Sequence, residues 1–278
     1  MSAPLLEVEN LSVRFATPKG DIDAVRSISF QLGRERLGIV GESGSGKSVT
    51  AKAILGLVRA PGKVHADTLR FDGIDLLHQN ERALRDIRGQ RISMVMQDPK
   101  FSLNPVMKVG KQISEAIQAH GRIPSKVAIQ KSIDMLNAVR IRDPEHVYHS
   151  YPHEVSGGMG QRIMLATMLA TNPDLLIADE PTSALDVTVQ TQVLAILDDL
   201  VSERGMGLIF VSHDLNLVAS FCDRVLVMYA GRIVESCSAS ELRQAKHPYT
   251  IGLLDSLPRI DQQRTTLPTL QRDPAWLT

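Results

Sequence analysis

The sequence predicts an α/β protein built on a mainly parallel sheet, with an inserted α-helical subdomain and an N-terminal antiparallel β region. Short apolar runs such as LGIV, DLLIADE and GLIFVS alternate with stretches of helical spacing, which is typical of a parallel α/β sheet. A helical stretch over about 98–165 interrupts this alternation and predicts the inserted subdomain. Near the N-terminus, LLEVENLSVRF alternates apolar and polar residues, as a half-buried strand does.

The first third of the chain surrounds a short glycine-rich segment. SISFQLGRERLGIVG predicts strands that end at Gly41, and the following SVTAKAILGLV has helical spacing. TLRFDGIDLL predicts a hairpin, because its Asp72–Gly73 pair favours a tight turn. RISMVMQ is a short apolar run and predicts a buried strand.

The rest of the chain repeats this alternation. A helical pattern runs from about Lys111 to Val139, and the helix GQRIMLATMLA is ended by the Asn172–Pro173 break. The strand DLLIADE precedes a helix over Thr188–Leu200, and RVLVMYAGRIVE predicts two short strands around Gly231. We predict a discontinuous core at 1–97 and 166–240, a helical subdomain at 98–165 and a short C-terminal extension at 241–278.

Composition excludes several classes of protein. Lys plus Arg and Asp plus Glu both number 31, so the net charge is zero and nothing indicates a nucleic-acid surface. Cys222 and Cys237 form neither a metal-ligand set nor a disulfide framework. No stretch approaches the roughly 18 uncharged apolar residues of a membrane span, and no signal peptide is visible. We expect a cytosolic protein whose membrane role, if any, comes through a partner.

The segment GESGSGKS fits the phosphate-loop pattern G-x-x-x-x-G-K-[ST]. It follows the apolar strand LGIV and opens a helix, which is the context that the pattern requires, so we prefer this reading to a chance Gly/Ser loop. The core is therefore predicted to be that of a P-loop NTPase (RecA-like). Lys47 is expected to reach the β- and γ-phosphates and Ser48 to bind Mg²⁺. The predicted nucleotide-binding residues here are Gly41, Glu42, Ser43, Gly44, Ser45, Gly46, Lys47, Ser48 and Val49.

An acidic pair follows the apolar run of DLLIADEP. Ligands of parallel sheets bind at the carboxyl ends of the strands, which is where Asp179 and Glu180 stand. Asp179 is placed to hold Mg²⁺ through water, and Glu180 to deprotonate the attacking water. Without the upstream loop, a solvated acidic pair at a strand end would be the better reading.

A second glycine-bearing segment, VSGGMGQR, opens another apolar helical run. Together with the loop and the acidic pair, it resembles the signature of the ATP-binding cassette (ABC) ATPases, normally LSGGQ-x-Q-R. The resemblance covers about residues 5–250. Val155 replaces the usual leucine and Met159 the usual first glutamine, while the phosphate-facing Ser156, Gly157 and Gly158 are kept.

Further positions match functional residues of this family, and the resemblance implies their roles. Gln97 matches the Q-loop glutamine, which contacts Mg²⁺ and the attacking water. Ser183–Asp186 matches the D-loop, so Asp186 joins the nucleotide-binding set. His213 matches the switch histidine at the γ-phosphate, and Phe15 stands where the family has the aromatic that stacks on adenine. The predicted catalytic residues are thus Glu180, His213 and Gln97, with Ser48, Gln97 and Asp179 toward the metal.

The resemblance also answers why one chain carries two phosphate-facing glycine turns. In this family two cassettes pack head to tail, and each ATP is bound by the loop of one chain and capped by the signature of the other. A helix N-terminus stabilises a phosphate only when it is aimed at it. VSGGMGQR is therefore expected to serve the nucleotide of a partner cassette.

Finer matches, YPHEVSGGMGQR, QDPKFSLNPV and HPYTIGLLDSLPRID, resemble the ATP-binding subunits of bacterial dipeptide, oligopeptide and nickel importers. This implies ATP and Mg²⁺ as cofactors, a location at the cytoplasmic face of the inner membrane, two permease subunits and, indirectly, a substrate-binding protein. The second ATPase subunit is expected to be a paralogue, with a homodimer as the alternative. The segment FSLNPV is expected to line the groove for a coupling helix of the permease. With two cysteines, no iron–sulfur cluster is expected.

Other interpretations stay open. Nickel or a metal chelate is the alternative substrate to di- and oligopeptides. A soluble ABC ATPase acting on nucleic acid or ribosomes is disfavoured, because Gln97 and Ser156 are only 59 positions apart, without room for a long coiled coil. A P-loop kinase leaves His213 unexplained, and an exporter fits the finer matches less well. His146, His149 and His153 have helical spacing for a metal site, but Pro152 falls between them.

Overall fold

The structure, a computed structural model, describes residues 3–96, 103–183 and 186–256 together with Asp273 and Trp276. The strands are, in chain order, β1 (Leu6–Thr17), β2 (Gly20–Leu32), β3 (Arg36–Val40), β4 (Gly62–His65), β5 (Thr68–Phe71), β6 (Ile74–Asp75), β7 (Ile92–Val95), β8 (Leu175–Asp179), β9 (Gly207–Ser212), β10 (Arg224–Tyr229) and β11 (Arg232–Ser238). The α-helices are α1 (Lys47–Ile54), α2 (Glu81–Ile87), α3 (Val109–Gln118), α4 (Ser125–Ala138), α5 (Pro144–His149), α6 (Gly157–Leu169), α7 (Val187–Arg204), α8 (Leu215–Phe221) and α9 (Pro248–Ser256).

The chain divides into two compact units, residues 1–78 with 210–278 and residues 79–209. Strand β9 carries the chain from the second unit back into the first. The domain boundaries given above from the sequence stay a prediction.

The first unit contains the antiparallel sheet predicted for the N-terminal region. Strand β1 pairs with β2, β4 and β5, and β5 pairs with β6, all antiparallel. Leu6 and Val8 on β1 are fully buried, and beyond a register shift so are Leu11 and Val13, so the alternation seen in the sequence holds on each side of the shift. Asp72 and Gly73 both have positive φ (48° and 76°), so the predicted turn between β5 and β6 has the mirror-image backbone that matches strand twist.

The same unit brings strands to the glycine-rich segment. Strand β10 pairs parallel with β3 and antiparallel with β11. Because β3 ends at Val40, it delivers the chain directly into the loop that begins at Gly41. The turn between β10 and β11 reaches the same loop, since the Gly231 N–H donates to the Ser45 carbonyl oxygen at 2.9 Å.

The second unit contains a parallel strand pair and a set of helices. Strands β7 and β8 pair parallel from Ile92 against Leu175 to Val95 against Ala178. Every residue of β8 is buried, as expected for a parallel strand covered on both faces. Here α3 packs against α4 and α5, and α4 against α6.

The helical prediction from Lys111 to Val139 is divided in the structure. Helix α3 ends at Gln118 and α4 begins at Ser125, with Gly121 and Pro124 between them. Pro124 fixes its own φ and disfavours a helical residue before it, so the chain reverses here and α4 packs back on α3. Within the described ranges, no helix has both the length and the apolar character needed to cross a membrane.

Candidate active site

The segment GESGSGKS forms the loop between β3 and α1, and its tight course depends on glycine. Gly41 has φ 151° and Gly46 has φ 105°, both in the region that side chains disfavour. A Cβ at Gly41 would lie 2.2 Å from the Met228 carbonyl oxygen, and one at Gly46 would lie 2.5 Å from the Ala24 carbonyl oxygen. The loop can therefore curl onto β10 and β2 only with glycine at these two positions.

Lys47, the first residue of α1, has its side chain inside this loop. It is only 5% exposed, and its ammonium Nζ donates to the Gly41 and Glu42 carbonyl oxygens at 2.8 and 2.9 Å. The N-terminus of α1 adds partial positive charge at the same place. Ser43 and Gly44, by contrast, are exposed, with no neighbouring atom within 4 Å of a Cβ built on Gly44. A buried cation, a helix N-terminus and open space beside the loop fit the phosphates of a nucleotide.

Two further predicted residues lie in the same unit. Phe15 is half-buried on β1, with its ring beside Gly62 of β4. His213 is exposed directly after β9 and before Asp214, whose carboxylate caps α8 by accepting the Leu217 N–H at 3.1 Å. The cap fixes the backbone directly after His213, between the end of β9 and the start of α8.

The predicted acidic pair lies in the unit of residues 79–209. Asp179 is the last residue of β8 and is 7% exposed, while Glu180 is half-buried. Glu180 has φ 49°, a left-handed conformation that a glutamate rarely adopts. Its carbonyl oxygen accepts the Ser183 N–H at 3.3 Å, closing a turn. Such strain is typical of functional positions, and here it points the chain sharply away from the strand direction after β8.

The signature segment lies in the same unit and presents a helix N-terminus to solvent. Ser156 caps α6, with its Oγ accepting the Met159 N–H at 3.4 Å. Ser156 and Gly157 are exposed, and no atom approaches within 4 Å of a Cβ built on Gly157. Gly158 is half-buried against Val189 of α7.

Asp186, predicted to bind nucleotide, has a local structural task. Its carboxylate accepts the Val189 N–H at 3.0 Å and caps α7. This bond fixes the start of the helix that packs against Gly158.

Gln161 is a residue that the sequence reading did not single out. It is 1% exposed on α6, and its Nε2 donates to the Pro181 carbonyl oxygen, in the turn just after Glu180. The signature helix is thereby tied to the turn that carries the predicted base. Two signals were available: Gln161 stands at the second glutamine of the signature pattern, and a glutamine among the apolar residues of a helix needs a partner when it is buried.

The Gln161 bond makes a stability prediction. Gln161→Leu keeps most of the side-chain volume but leaves the buried Pro181 carbonyl without this donor, so we expect a loss of about 1–3 kcal/mol in unfolding free energy. Urea denaturation followed by circular dichroism measures it. The matched control is Gln130→Leu on the exposed face of α4, expected within about 0.5 kcal/mol of the wild type. Equal midpoints for both variants would show that the bond contributes nothing.

Some predicted site residues lie outside the described part of the chain, and the histidines considered for a metal site have other contacts. Gln97 and two residues of SALD, at 184–185, lie outside the described residues. His149 packs edge-on against Tyr148, and His153 stacks on Tyr151, with ring centroids 5.1 and 5.6 Å apart. In the part of the chain that the structure describes, no group of three or more His, Cys, Asp or Glu side chains is arranged to hold a metal ion.

A glycine-bent loop that opens a helix and encloses a buried lysine defines the P-loop class of nucleotide-binding proteins. A family-wide sequence model described as "ABC transporter" matches residues 25–183. The chain therefore belongs to the ABC transporter family, as its motifs indicate, and it is an ATPase coupled to transport.

Relatives and solved structures agree with this membership. The chain is 47% identical over 273 residues to the oligopeptide transport ATP-binding protein OppD of Haemophilus influenzae, covering 98% of this chain and 84% of the relative. It is 48% identical to the dipeptide transport ATP-binding protein DppD of the same organism, covering 96% and 82%. The dimeric bacterial ABC transporter cassette MJ0796 superposes with a TM-score of 0.73 at 25% identity, covering 84% of this chain and 98% of that one. The predicted fold class is thus confirmed.

Proposed function

We propose that this chain binds and hydrolyses MgATP as one of two cassettes of a bacterial importer that takes up di- and oligopeptides. The observation that carries the proposal is the 47–48% identity, over nearly the whole chain, to proteins named for oligopeptide and dipeptide transport. The site is complete in residue type, since loop, acidic pair, signature and switch histidine are all present. We place the chain at the cytoplasmic face of the inner membrane, without an iron–sulfur cluster.

The loop residues bind the phosphates, and Lys47 exchanges its carbonyl acceptors for phosphate oxygens. Ser48, Asp179 and Gln97 would hold Mg²⁺, which when bound offsets charge that develops on the β- and γ-phosphates. Glu180 takes a proton from the attacking water. The water oxygen bonds to the γ-phosphorus, while the bond between that phosphorus and the ADP oxygen breaks. Phe15 stacks on adenine, and His213 contacts the γ-phosphate.

The exposed N-terminus of α6 supports a composite site. Ser156 and Gly157 face solvent, so this end of the helix is accessible to the nucleotide of another cassette. We assign Ser156, Gly157, Gly158 and Asp186 to that contact. MJ0796 is described as dimeric, which is consistent with such pairing. A paralogue is the expected second cassette.

Exposed apolar side chains support docking to a permease subunit. Val106, the last residue of FSLNPV, is 82% exposed, and Met96, directly before Gln97, is 52% exposed. Apolar side chains exposed together on one surface mark a protein contact, which is the arrangement that we propose for these two. We propose that they meet the coupling helix of a membrane partner.

Gly157→Asp tests the composite site. The Cβ position is open and a carboxylate is favourable at a helix N-terminus, so the variant is expected to fold and to bind ATP at its own loop within about twofold of wild type. It places an anion beside the γ-phosphate of the partner, with a repulsion on the order of 1–4 kcal/mol for unit charges about 4 Å apart. We therefore expect loss of ATP-dependent pairing, measured by light scattering with the second cassette. Gly157→Asn is the neutral control of matched size, and pairing that survives the aspartate would contradict the assignment.

Uptake in cells tests the substrate. Cells that carry this transport system should accumulate a radiolabelled tripeptide with the wild-type chain and not with Lys47→Ala. Labelled nickel is measured in parallel. Peptide uptake that does not depend on Lys47, or nickel uptake that does while peptide uptake is absent, would contradict the peptide assignment.

A further inference from the structure

The C-terminal part of the chain returns to the phosphate loop. Tyr249, in the first turn of α9, is fully buried, and its hydroxyl oxygen accepts the N–H of Glu42 at 3.0 Å. Glu42 is the second residue of GESGSGKS, 207 positions away along the chain. The sequence predicts only a short C-terminal extension over 241–278, and no local pattern in it indicates this contact.

Two further aromatic rings surround Tyr249. Its ring centroid lies 4.4 Å from that of Tyr229 on β10, and the Trp276 ring lies 5.7 Å from Tyr229 and 5.9 Å from Tyr249. Both contacts of Trp276 are edge-to-face, the arrangement that aromatic rings prefer. We call Tyr229, Tyr249 and Trp276 the tail cluster.

One peptide group of the loop is held at both of its polar atoms. The bond between Gly41 and Glu42 offers the Gly41 carbonyl, which accepts from Lys47 at 2.8 Å, and the Glu42 N–H, which donates to Tyr249 at 3.0 Å. The first partner belongs to the nucleotide machinery and the second to the tail cluster. When Lys47 turns to a phosphate, this peptide loses one partner and keeps the other, so any adjustment of the peptide acts directly on the hydroxyl of Tyr249.

A second contact holds the loop further on. The Gly231 N–H, in the turn between β10 and β11, donates to the Ser45 carbonyl oxygen at 2.9 Å. Glu42 and Ser45 flank the exposed Ser43 and Gly44. The loop is therefore fixed on both sides of its exposed part, and Tyr229, the last residue of β10, links this turn to Tyr249.

We propose that Tyr249 is a positioning residue for nucleotide binding, which keeps the phosphate loop in its binding shape, and that the tail cluster responds when the loop is occupied. This rests on the proposed ATP site at Lys47. A loop held in its binding shape loses less conformational freedom on binding, so affinity is higher. Loss of the hydroxyl should therefore raise the Michaelis constant for ATP more than it lowers the turnover number, because the hydroxyl contacts the loop and not the reacting atoms.

Tyr249→Phe removes the hydroxyl and keeps the ring. We expect a fall of about 2–10-fold in ATP affinity, the range of one net hydrogen bond, with a matching rise in the Michaelis constant and a turnover number within about twofold of wild type. Tyr229→Phe is the matched control, since it removes a hydroxyl from the same cluster and spares the bond to Glu42. A merely structural role for Tyr249 would lower the melting temperature and leave the Michaelis constant unmoved, which would overturn the proposal.

A second readout needs no variant of the cluster. Trp276 is the single tryptophan of the chain, so fluorescence excited at a wavelength that tyrosine does not absorb reports on the tail cluster alone. Titration of the wild type with MgATP is expected to change its emission with the midpoint seen in the binding assay, and Lys47→Ala is expected to show no change at the same concentrations. If the wild type binds no ATP, the proposed site itself fails. If it binds ATP while the emission stays constant, the site stands and the coupling is wrong.

Discussion

Glu180→Gln is expected to hydrolyse ATP roughly 10²–10⁴-fold more slowly than the wild type, which is the usual contribution of a positioned general base. An amide of the same shape cannot take the proton of the attacking water. ATP affinity should stay close to wild type, because the loop around Lys47 is unchanged. Phosphate release at saturating MgATP measures the first effect, and equilibrium titration measures the second.

The control for this variant is Glu203→Gln, on the exposed surface of α7. It makes the same chemical change in the same unit, and hydrolysis should stay within about twofold of wild type because surface substitutions rarely matter. The left-handed backbone at Glu180 is the same for both amino acids, so its strain is not altered by the change. Normal hydrolysis by Glu180→Gln would show that another group takes the proton.

Lys47→Ala is expected to lose most nucleotide affinity, with little turnover at any practical ATP concentration. Contacts to a charged group contribute about 1.5–3 kcal/mol each, which corresponds to roughly 10–150-fold in affinity. The ammonium is nearly fully buried beside the Gly41 and Glu42 carbonyls, and alanine supplies neither its charge nor its donors there. Titration with a fluorescent ATP analogue measures the loss.

Lys52→Ala, in the last turn of the same helix, is the matched control. It removes one lysine from α1 at a half-buried position and should leave the affinity unchanged. If Lys47→Ala binds nucleotide as tightly as Lys52→Ala does, the phosphate-loop assignment is wrong.

The parts of the fold that could be predicted are those that depend on residues close together in the sequence. The turn at Asp72–Gly73 needs two residues that accept positive φ, and the sequence offers them. The acidic pair was found because β8 is short and apolar from Leu175 to Ala178, a composition that burial on both faces produces. The loop at Gly41 was found because its backbone geometry requires glycine at fixed positions, and those glycines form a recognisable sequence pattern.

What could not be predicted depends on tertiary contacts. Helix α9 was not predicted within the C-terminal extension, although its Pro248 stands in the first turn, where proline is well tolerated. Tyr249 and Gln161 act through partners far along the chain, at Glu42 and Pro181, and no periodicity encodes such pairs. Pro124 marks the division between α3 and α4, but the apolar spacing on both sides of it is helical and predicts one continuous helix.

The central claim is that this ATPase works as one cassette of a membrane importer. Its most direct test is affinity purification of the chain from detergent-solubilised membranes, with mass spectrometry of the proteins that accompany it. We expect two polytopic membrane proteins and a second, related cassette, in stoichiometric amounts and retained by the Glu180→Gln variant with ATP. Recovery from the soluble fraction alone, with ribosomal or DNA-bound proteins, would contradict the transport function and leave only a nucleotide-driven switch.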